Sequence, residues 1–270
     1  MEVNPSPPPP PQFDETPVPD FMDLLRLDGR NFILLGGGFG MGRQTAHALS
    51  QAGAQVFCVD VDGKRAQKVA DEVGGIACEA DATDWGQTRQ LAAEAHRQMG
   101  RIHGVVDVIG IARWGELVNT SDEDWDWCQR MVLRHGFNIV RAVAPLMSED
   151  GGGCFTFVAS ISGMSSSPNH GHYGAAKAGL LSLVRTAAVE LKDSKIRVNA
   201  VSPGSVATAR IALRHNTTLD GLRERGFAAM SEIAAALLFL SGDLASHVTG
   251  TNLTVDNGAM AKYPFSPSAS

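Results

Sequence analysis

Short apolar runs alternate with amphipathic stretches through most of the chain. Runs rich in Val, Ile, Leu and Phe fall near 32–36, 55–60, 76–80, 104–109, 154–159, 196–201 and 252–256, lengths that suit β-strands. Between them apolar positions recur at the helical period, near 41–52, 63–73, 84–99, 121–147, 172–192 and 231–241. Strand–helix alternation at this spacing predicts an α/β fold, with a parallel sheet covered by helices on both faces. The runs Gly104-Val-Val-Asp-Val-Ile-Gly110 and Cys154-Phe-Thr-Phe-Val-Ala159 are almost continuously apolar, as strands buried on both sides must be. No internal repeat or second core is visible, so a single domain is expected over 21–262. Residues 1–20 hold most of the prolines, including Pro7 to Pro11, and read as an extended or disordered tail. A second loose tail is expected over 263–270.

The first strand–helix unit contains an unusual turn. Gly36-Gly-Gly-Phe-Gly-Met-Gly42 follows the apolar run Asn31-Phe-Ile-Leu-Leu35 and precedes a helical pattern that ends at Gly53. Strand, glycine turn and helix in that order build a site for a diphosphate. Glycines let the backbone turn tightly and approach the ligand. The helix N-terminus adds unpaired N–H groups and a positive dipole end. Gly36, Gly40 and Gly42 have the spacing G-x-x-x-G-x-G. The next strand, Gln55 to Asp60, ends in an acid about twenty residues beyond the glycines. Asp60 at that place accepts hydrogen bonds from ribose hydroxyls and repels a 2′-phosphate, which favours NAD over NADP. Its plain alternative is a turn residue at a strand end, with Asp62 the competitor for the ribose. Asp81 follows the third strand as a candidate for the adenine edge, and Asp84 as a helix cap.

Tyr173-Gly-Ala-Ala-Lys177 opens a later amphipathic helix and places Tyr and Lys on one helix face. A free phenol has a pKa of about 10. A neighbouring ammonium favours the phenolate and is expected to lower that value, making a proton-transfer group for an alcohol. Ser160 stands thirteen positions earlier, at the predicted C-terminal edge of a strand, where open α/β sheets bind ligands. Its hydroxyl is placed to hold a substrate oxygen beside the phenol. Thr120 and Glu123 have the spacing of a capping box, so the acid run after Thr120 is read as structural. His170, His172 and Arg113-Trp114 are candidates for the rim of the pocket.

Composition narrows the partners. The net charge of −6 carries no basic stripe, which argues against nucleic acid and anionic membrane surfaces. No apolar run approaches the length of a membrane span, and the N-terminus has no signal-peptide pattern. Cys58, Cys78, Cys128 and Cys154 are scattered, which points to buried free thiols in a reducing, cytoplasmic setting without a metal cage.

Taken together, these motifs resemble the classical short-chain dehydrogenase/reductase family from about Leu27 to Met260. The resemblance is carried by the Gly36/Gly40/Gly42 loop, Ser160, Tyr173-x-x-x-Lys177, Arg197-Val-Asn-Ala-Val-Ser-Pro203-Gly204 with Thr208, and Val248 to Gly258. It implies a Rossmann-type, doubly wound sheet of seven parallel strands, assembled as a homotetramer or dimer. It implies Tyr173 as acid/base, Lys177 on the nicotinamide ribose and Ser160 orienting the substrate oxygen. The implied cofactor surface is Gly36, Phe39, Gly40, Met41, Gly42, Asp60, Val61, Asp81, Ala82, Val108, Gly110, Tyr173, Lys177, Val206 and Thr208. The activity expected is NAD-dependent interconversion of a secondary alcohol and its ketone, with a lid over about 209–230 covering a fairly apolar, ring-bearing substrate.

Three positions depart from the family pattern. Leu35 replaces a threonine before the first glycine, and Asp107-Val108-Ile109-Gly110 replaces Asn-Asn-Ala-Gly. Val132 stands where a helix asparagine completes the family's catalytic tetrad, with His135 about one turn on. Asp107 is then a buried acid in need of a partner. These departures keep two other readings open: a dinucleotide-binding scaffold or sensor without turnover, and an isomerase or dehydratase on the same fold.

Overall fold

The computed structural model describes residues 15–262; the predicted tail over 263–270 and most of that over 1–20 lie outside the described residues. Seven strands form one sheet: β1 Asn31–Leu35, β2 Gln55–Asp60, β3 Ile76–Glu79, β4 Gly104–Asp107, β5 Gly153–Val158, β6 Ile196–Pro203 and β7 Asn252–Val255. All neighbours pair in parallel in the order β3-β2-β1-β4-β5-β6-β7. The order reverses between β1 and β4, which opens a crevice at their C-terminal ends.

Side chains alternate across the sheet, and the alternation sorts the core into two layers. Ile33, Leu35, Phe57, Val59, Val105, Phe155 and Phe157 face one layer. It is completed by helices α3 Trp85–Met99, α5 His135–Glu149 and α6 Gly171–Leu191. Phe32, Leu34, Val56, Cys58, Val106, Cys154 and Val158 face the other. That layer is covered by α1 Met41–Gln51, α2 Gly63–Val73 and α9 Met230–Ser241. The four cysteines are free thiols. Among the described residues no helix is long and apolar enough to cross a membrane.

Two local expectations need correction. The helix expected as one piece over 121–147 is α4 Asp122–Gln129, a wide π turn over Arg130–Arg134, then α5. A π turn is a single widened turn with helical residues on both sides, so a helical pattern read from the sequence runs through it as one piece. The cap of α4 is Ser121, whose Oγ accepts from Asp124 N at 3.1 Å. Thr120 instead donates its hydroxyl to the Glu116 carbonyl. The region expected to be a lid forms two short helices, α7 Ala209–Arg214 and α8 Leu219–Glu224. They close on a small cluster of Ala207, Ala212 and Leu222.

Candidate active site

The glycine loop lies at the C-terminal end of β1. Gly36 has φ +75°, a conformation open to glycine, and a Cβ there would stand 3.2–3.3 Å from the side chains of Ile109 and Val108. A Cβ on Gly42 would meet the Gly36 carbonyl at 1.9 Å, so only glycine lets the start of α1 approach the strand end. Gly40 has φ +59° and serves as the N-cap of α1, with no side chain to occupy the helix N-terminus. Phe39 is 63% exposed and Val61 64% exposed, unusual for residues of their type, and they flank the loop and the end of β2. Met41 begins α1 and packs on the apolar core.

Asp60 ends β2 half-buried, its Oδ2 accepting from Gly38 N at 3.1 Å and its Oδ1 from Asp62 N at 3.0 Å. Asp62, the competitor for the ribose, is committed elsewhere: its Oδ1 caps α2 by accepting from Lys64 N and Arg65 N. Arg65 was not singled out from the sequence. Its Cβ would lie 2.7 Å from a Cβ on Gly38, and its guanidinium pairs with Asp62 at 3.3 Å. The signal for it was weak, since it is an exposed cation in the first turn of α2 with no motif around it. Asp81 turns back on Thr83 N at 2.8 Å, and Asp84 caps α3. Ala82 is buried, with its carbonyl held by Thr88 and Asn138.

From the glycine loop a continuous path of contacts leads to the tyrosine. Gly36 lies against Val108 and Ile109, and a Cβ on Gly110 would stand 3.0 Å from Lys177 Nζ. Lys177 is 1% exposed and donates to the Val158 carbonyl at 2.7 Å, two residues before Ser160. Its Nζ lies 5.8 Å from the centre of the Tyr173 ring. Ser160 stands beside the phenol of Tyr173, and its Oγ accepts from Ser162 N at 3.1 Å. Ser160, Tyr173 and Lys177 therefore meet beside the crevice that the reversal of strand order creates.

The electrostatics of this cluster differ from the sequence expectation. Burial pushes the Tyr173 phenol up to about 12, against the smaller downward pull of the Ser160 hydroxyl. The expected acidification by Lys177 does not prevail, because desolvation of the phenolate is the larger effect and the ammonium is directed at the Val158 carbonyl. Burial also brings Lys177 down to about 8, while the charge of Asp107 holds it up.

Around the tyrosine stands a rim that the sequence indicated only in part. Trp114 packs edge-on against Tyr173, ring centres 5.2 Å apart, and against the His170 ring at 4.1 Å. His170 also meets Ser162 Oγ at 3.2 Å. Arg214 of α7 lies 6.0 Å from the Trp114 ring, so the lid reaches the same rim. Arg113 turns away, bound to Asp124 at 2.6 Å and stacked over Trp127. His172 is buried and faces Thr120. Val206 is buried and bridges to Ala228, and Thr208 caps α7. Arg197 and Asn199 serve the fold, holding carbonyls of Leu240, Gly242 and Val248. Val132 is wholly buried, and His135 Nδ1 meets Asp107 Oδ2 at 2.5 Å.

A doubly wound sheet with a glycine loop and a Ser–Tyr–Lys cluster at its switch point defines a dinucleotide-dependent oxidoreductase class, and comparison with known proteins agrees. Residues 37–260 match the family described as Enoyl-(Acyl carrier protein) reductase. The chain is 31% identical over 243 residues to the 3-oxoacyl-[acyl-carrier-protein] reductase FabG of Thermotoga maritima, covering 87% of this chain and 99% of that one. It is 30% identical over 269 residues to an uncharacterized NAD-dependent oxidoreductase of Mycobacterium tuberculosis, covering 88% and 98%. It is similar to the structure of a 7α-hydroxysteroid dehydrogenase complexed with NADH and 7-oxo glycochenodeoxycholic acid. That likeness has a TM-score of 0.81 and 31% identity, over 87% of this chain and 96% of that one. The chain belongs to the short-chain dehydrogenase/reductase family.

Proposed function

We propose that this protein is an NAD-dependent oxidoreductase that interconverts a secondary alcohol and its ketone. The observation that carries the reading is the convergence of Ser160, Tyr173 and Lys177 beside Gly110 and the glycine loop. The residues fit a dinucleotide: Gly36 and Gly42 let the loop and the start of α1 fold tightly onto the strand end, and α1 begins without a side-chain cap, leaving its N-terminus open to an anion. The loop and the α1 N-terminus would hold the diphosphate, Asp60 the adenosine ribose, and Val206 and Thr208 the nicotinamide end. When bound, the nicotinamide supplies the hydride acceptor or donor.

The protein's own groups would handle the proton. Tyr173, pushed up to about 12, is protonated at neutral pH and donates to a carbonyl oxygen that Ser160 holds. Lys177 stabilises charge on the phenolate left behind. Asp60 supports NAD over NADP, since its carboxylate stands where a 2′-phosphate would bring a second negative charge. Arg65, whose Cβ lies against Gly38, is paired with Asp62. The aromatic rim of Trp114 supports a ring-bearing or otherwise apolar substrate. Exposed Trp125 and Phe137 on α4 and α5 support a homo-oligomer, and the free thiols support a cytoplasmic location.

A coenzyme-linked assay tests the reading with ring ketones, acyclic 2-ketones, 3-oxoacyl thioesters and sugar alcohols. Turnover of a ketone or its alcohol is expected with NADH or NAD⁺. Tight binding of NADH with no turnover across such a panel would favour a non-catalytic dinucleotide-binding role.

A further inference from the structure

Apart from the cysteine thiols, four titratable side chains among the described residues are almost wholly buried: Asp107, His135, His172 and Lys177. Asp107 is the one carboxylate of the set and Lys177 the one ammonium. A buried charge without a counter-charge is costly enough to neutralise itself. The two residues come from different parts of the fold, yet Asp107 at the end of β4 pairs in register with Phe157 of β5, and the next residue, Val158, offers the carbonyl that Lys177 of α6 binds.

Hydrogen-bond accounting gives the charge of the carboxylate side. Asp107 Oδ1 accepts from Ile109 N at 3.0 Å, and Oδ2 meets His135 Nδ1 at 2.5 Å. His135 Nε2 is buried and has no partner among the described residues. A neutral ring needs no acceptor at Nε2, whereas an imidazolium needs one. With the ring taken as neutral and donating from Nδ1, the Asp107–His135 pair bears one net negative charge. Lys177, bonded to the uncharged Val158 carbonyl, bears one positive charge. The other ionisable groups facing this region are Tyr173 of α6, its ring 5.8 Å from Lys177 Nζ, and Cys128 of α4 beside Tyr173, whereas His172 is turned to Thr120. Val132, at the place of the family's tetrad amide, contributes neither charge nor hydrogen bond.

We infer that Asp107 and His135 are positioning residues: His135 fixes the Asp107 carboxylate, and the carboxylate keeps the buried Lys177 ammonium charged and in place. This deepens the proposed function and rests on Lys177 belonging to the reaction site. The role would pass electrostatically from β4 and α5 to Lys177, with no contact between Asp107 or His135 and the substrate. The direction in which Asp107 acts on Lys177 agrees with this arrangement.

The test is a pH titration of Lys177 followed by NMR on protein carrying ¹³C-lysine. With six lysines in the chain, the Lys177 signal is assigned by its loss in Lys177→Met. In Asp107→Asn the Lys177 midpoint should fall by about one to three pH units, the usual effect of removing a close opposite charge. Where a substrate is in hand, the alkaline limb of turnover should fall with it. An unchanged midpoint overturns the inference. Lys177→Met supplies a second readout if Asp107→Asn does not fold. From about pH 4, where an unfolded carboxylate titrates, up to neutrality, its melting temperature relative to wild type should fall as pH rises. The folded pair, deprived of its cation, then holds a proton that the unfolded chain releases. A difference flat with pH overturns the inference. Full turnover in Lys177→Met would instead overturn the place of Lys177 in the reaction site, whatever the titration shows.

Discussion

The two halves of the crevice are built on different principles. On the β1–β2 side the site is made of backbone: Gly36 and Gly42 bring main chain to main chain, and α1 presents its N-terminus. On the β4–β5 side it is made of side chains: Asp107, His135, Lys177, Tyr173 and Ser160, most of them buried. Apart from the Asp60 carboxylate at its outer wall, the first half depends on shape, because peptide dipoles are the same whatever the side chain. The second depends on the charge each group carries, and burial changes that charge. The nucleotide half should therefore respond to added bulk, and the catalytic half to lost or moved protons.

Replacing the proton donor should separate the halves most sharply. Tyr173→Phe removes one oxygen and should lower turnover by about 10²–10⁴-fold, the range for a general acid. NADH affinity, read by fluorescence, should stay near wild type. A variant that keeps the wild-type rate on a true substrate would move the chemistry elsewhere.

The reverse experiment is Gly42→Ala. Its Cβ would lie 1.9 Å from the Gly36 carbonyl, so the loop must open. A cost of about 1–3 kcal/mol is expected for such overpacking, seen as weaker NADH binding and a lower melting temperature. Unchanged NADH binding would contradict the close approach of α1 to the strand end.

The pH profile sharpens the comparison further. Lys177 sits at about 8 and Tyr173 at about 12. Reductive turnover should hold steady up to about 8 and then fall as the ammonium loses its proton. The phenol keeps its proton through that interval, so it is not the source of the fall. NADH binding through the backbone half should change less over the same interval. A reductive rate that rises above that point would contradict the assigned roles.

Smaller effects are expected at the two outer walls. Asp60→Ala should shift the NADPH/NADH affinity ratio toward NADPH by about tenfold, near 1.4 kcal/mol, measured by titrating both reduced coenzymes. If the ratio does not move, Asp60 is not the discriminating acid. Trp114→Ala removes edge-on ring contacts worth about 0.5–1.5 kcal/mol, and should raise the KM of a ring substrate several-fold with little change in kcat. An equal loss in both parameters would instead indicate that Trp114 holds Tyr173 in position.

Much of the backbone half was legible in the sequence. The strand and helix positions follow from period-2 and period-3.6 patterns, which are local. The glycine turn shows itself because a strand, its glycines and a helix are contiguous. Asp60 and Asp62 were both visible as candidates, and the structure separates them by giving the cap of α2 to Asp62. Ser160, Tyr173 and Lys177 were legible by spacing, being thirteen and four residues apart across one strand end and one helix start.

The amino-acid order by itself determined the layers, the parallel sheet, the glycine loop and the family, because each is written in short-range patterns or contiguous motifs. Only the tertiary structure decided the electrical state of the site. Asp107 and His135 are 28 positions apart and meet because α5 packs across the end of β4. Trp114 reaches Tyr173 through a loop whose path no periodicity describes. The phenol rises because the surrounding chain excludes water from it, and desolvation is a property of every neighbour together. Spacing along the chain places groups side by side, whereas the proton each one keeps depends on the medium that folding creates around it.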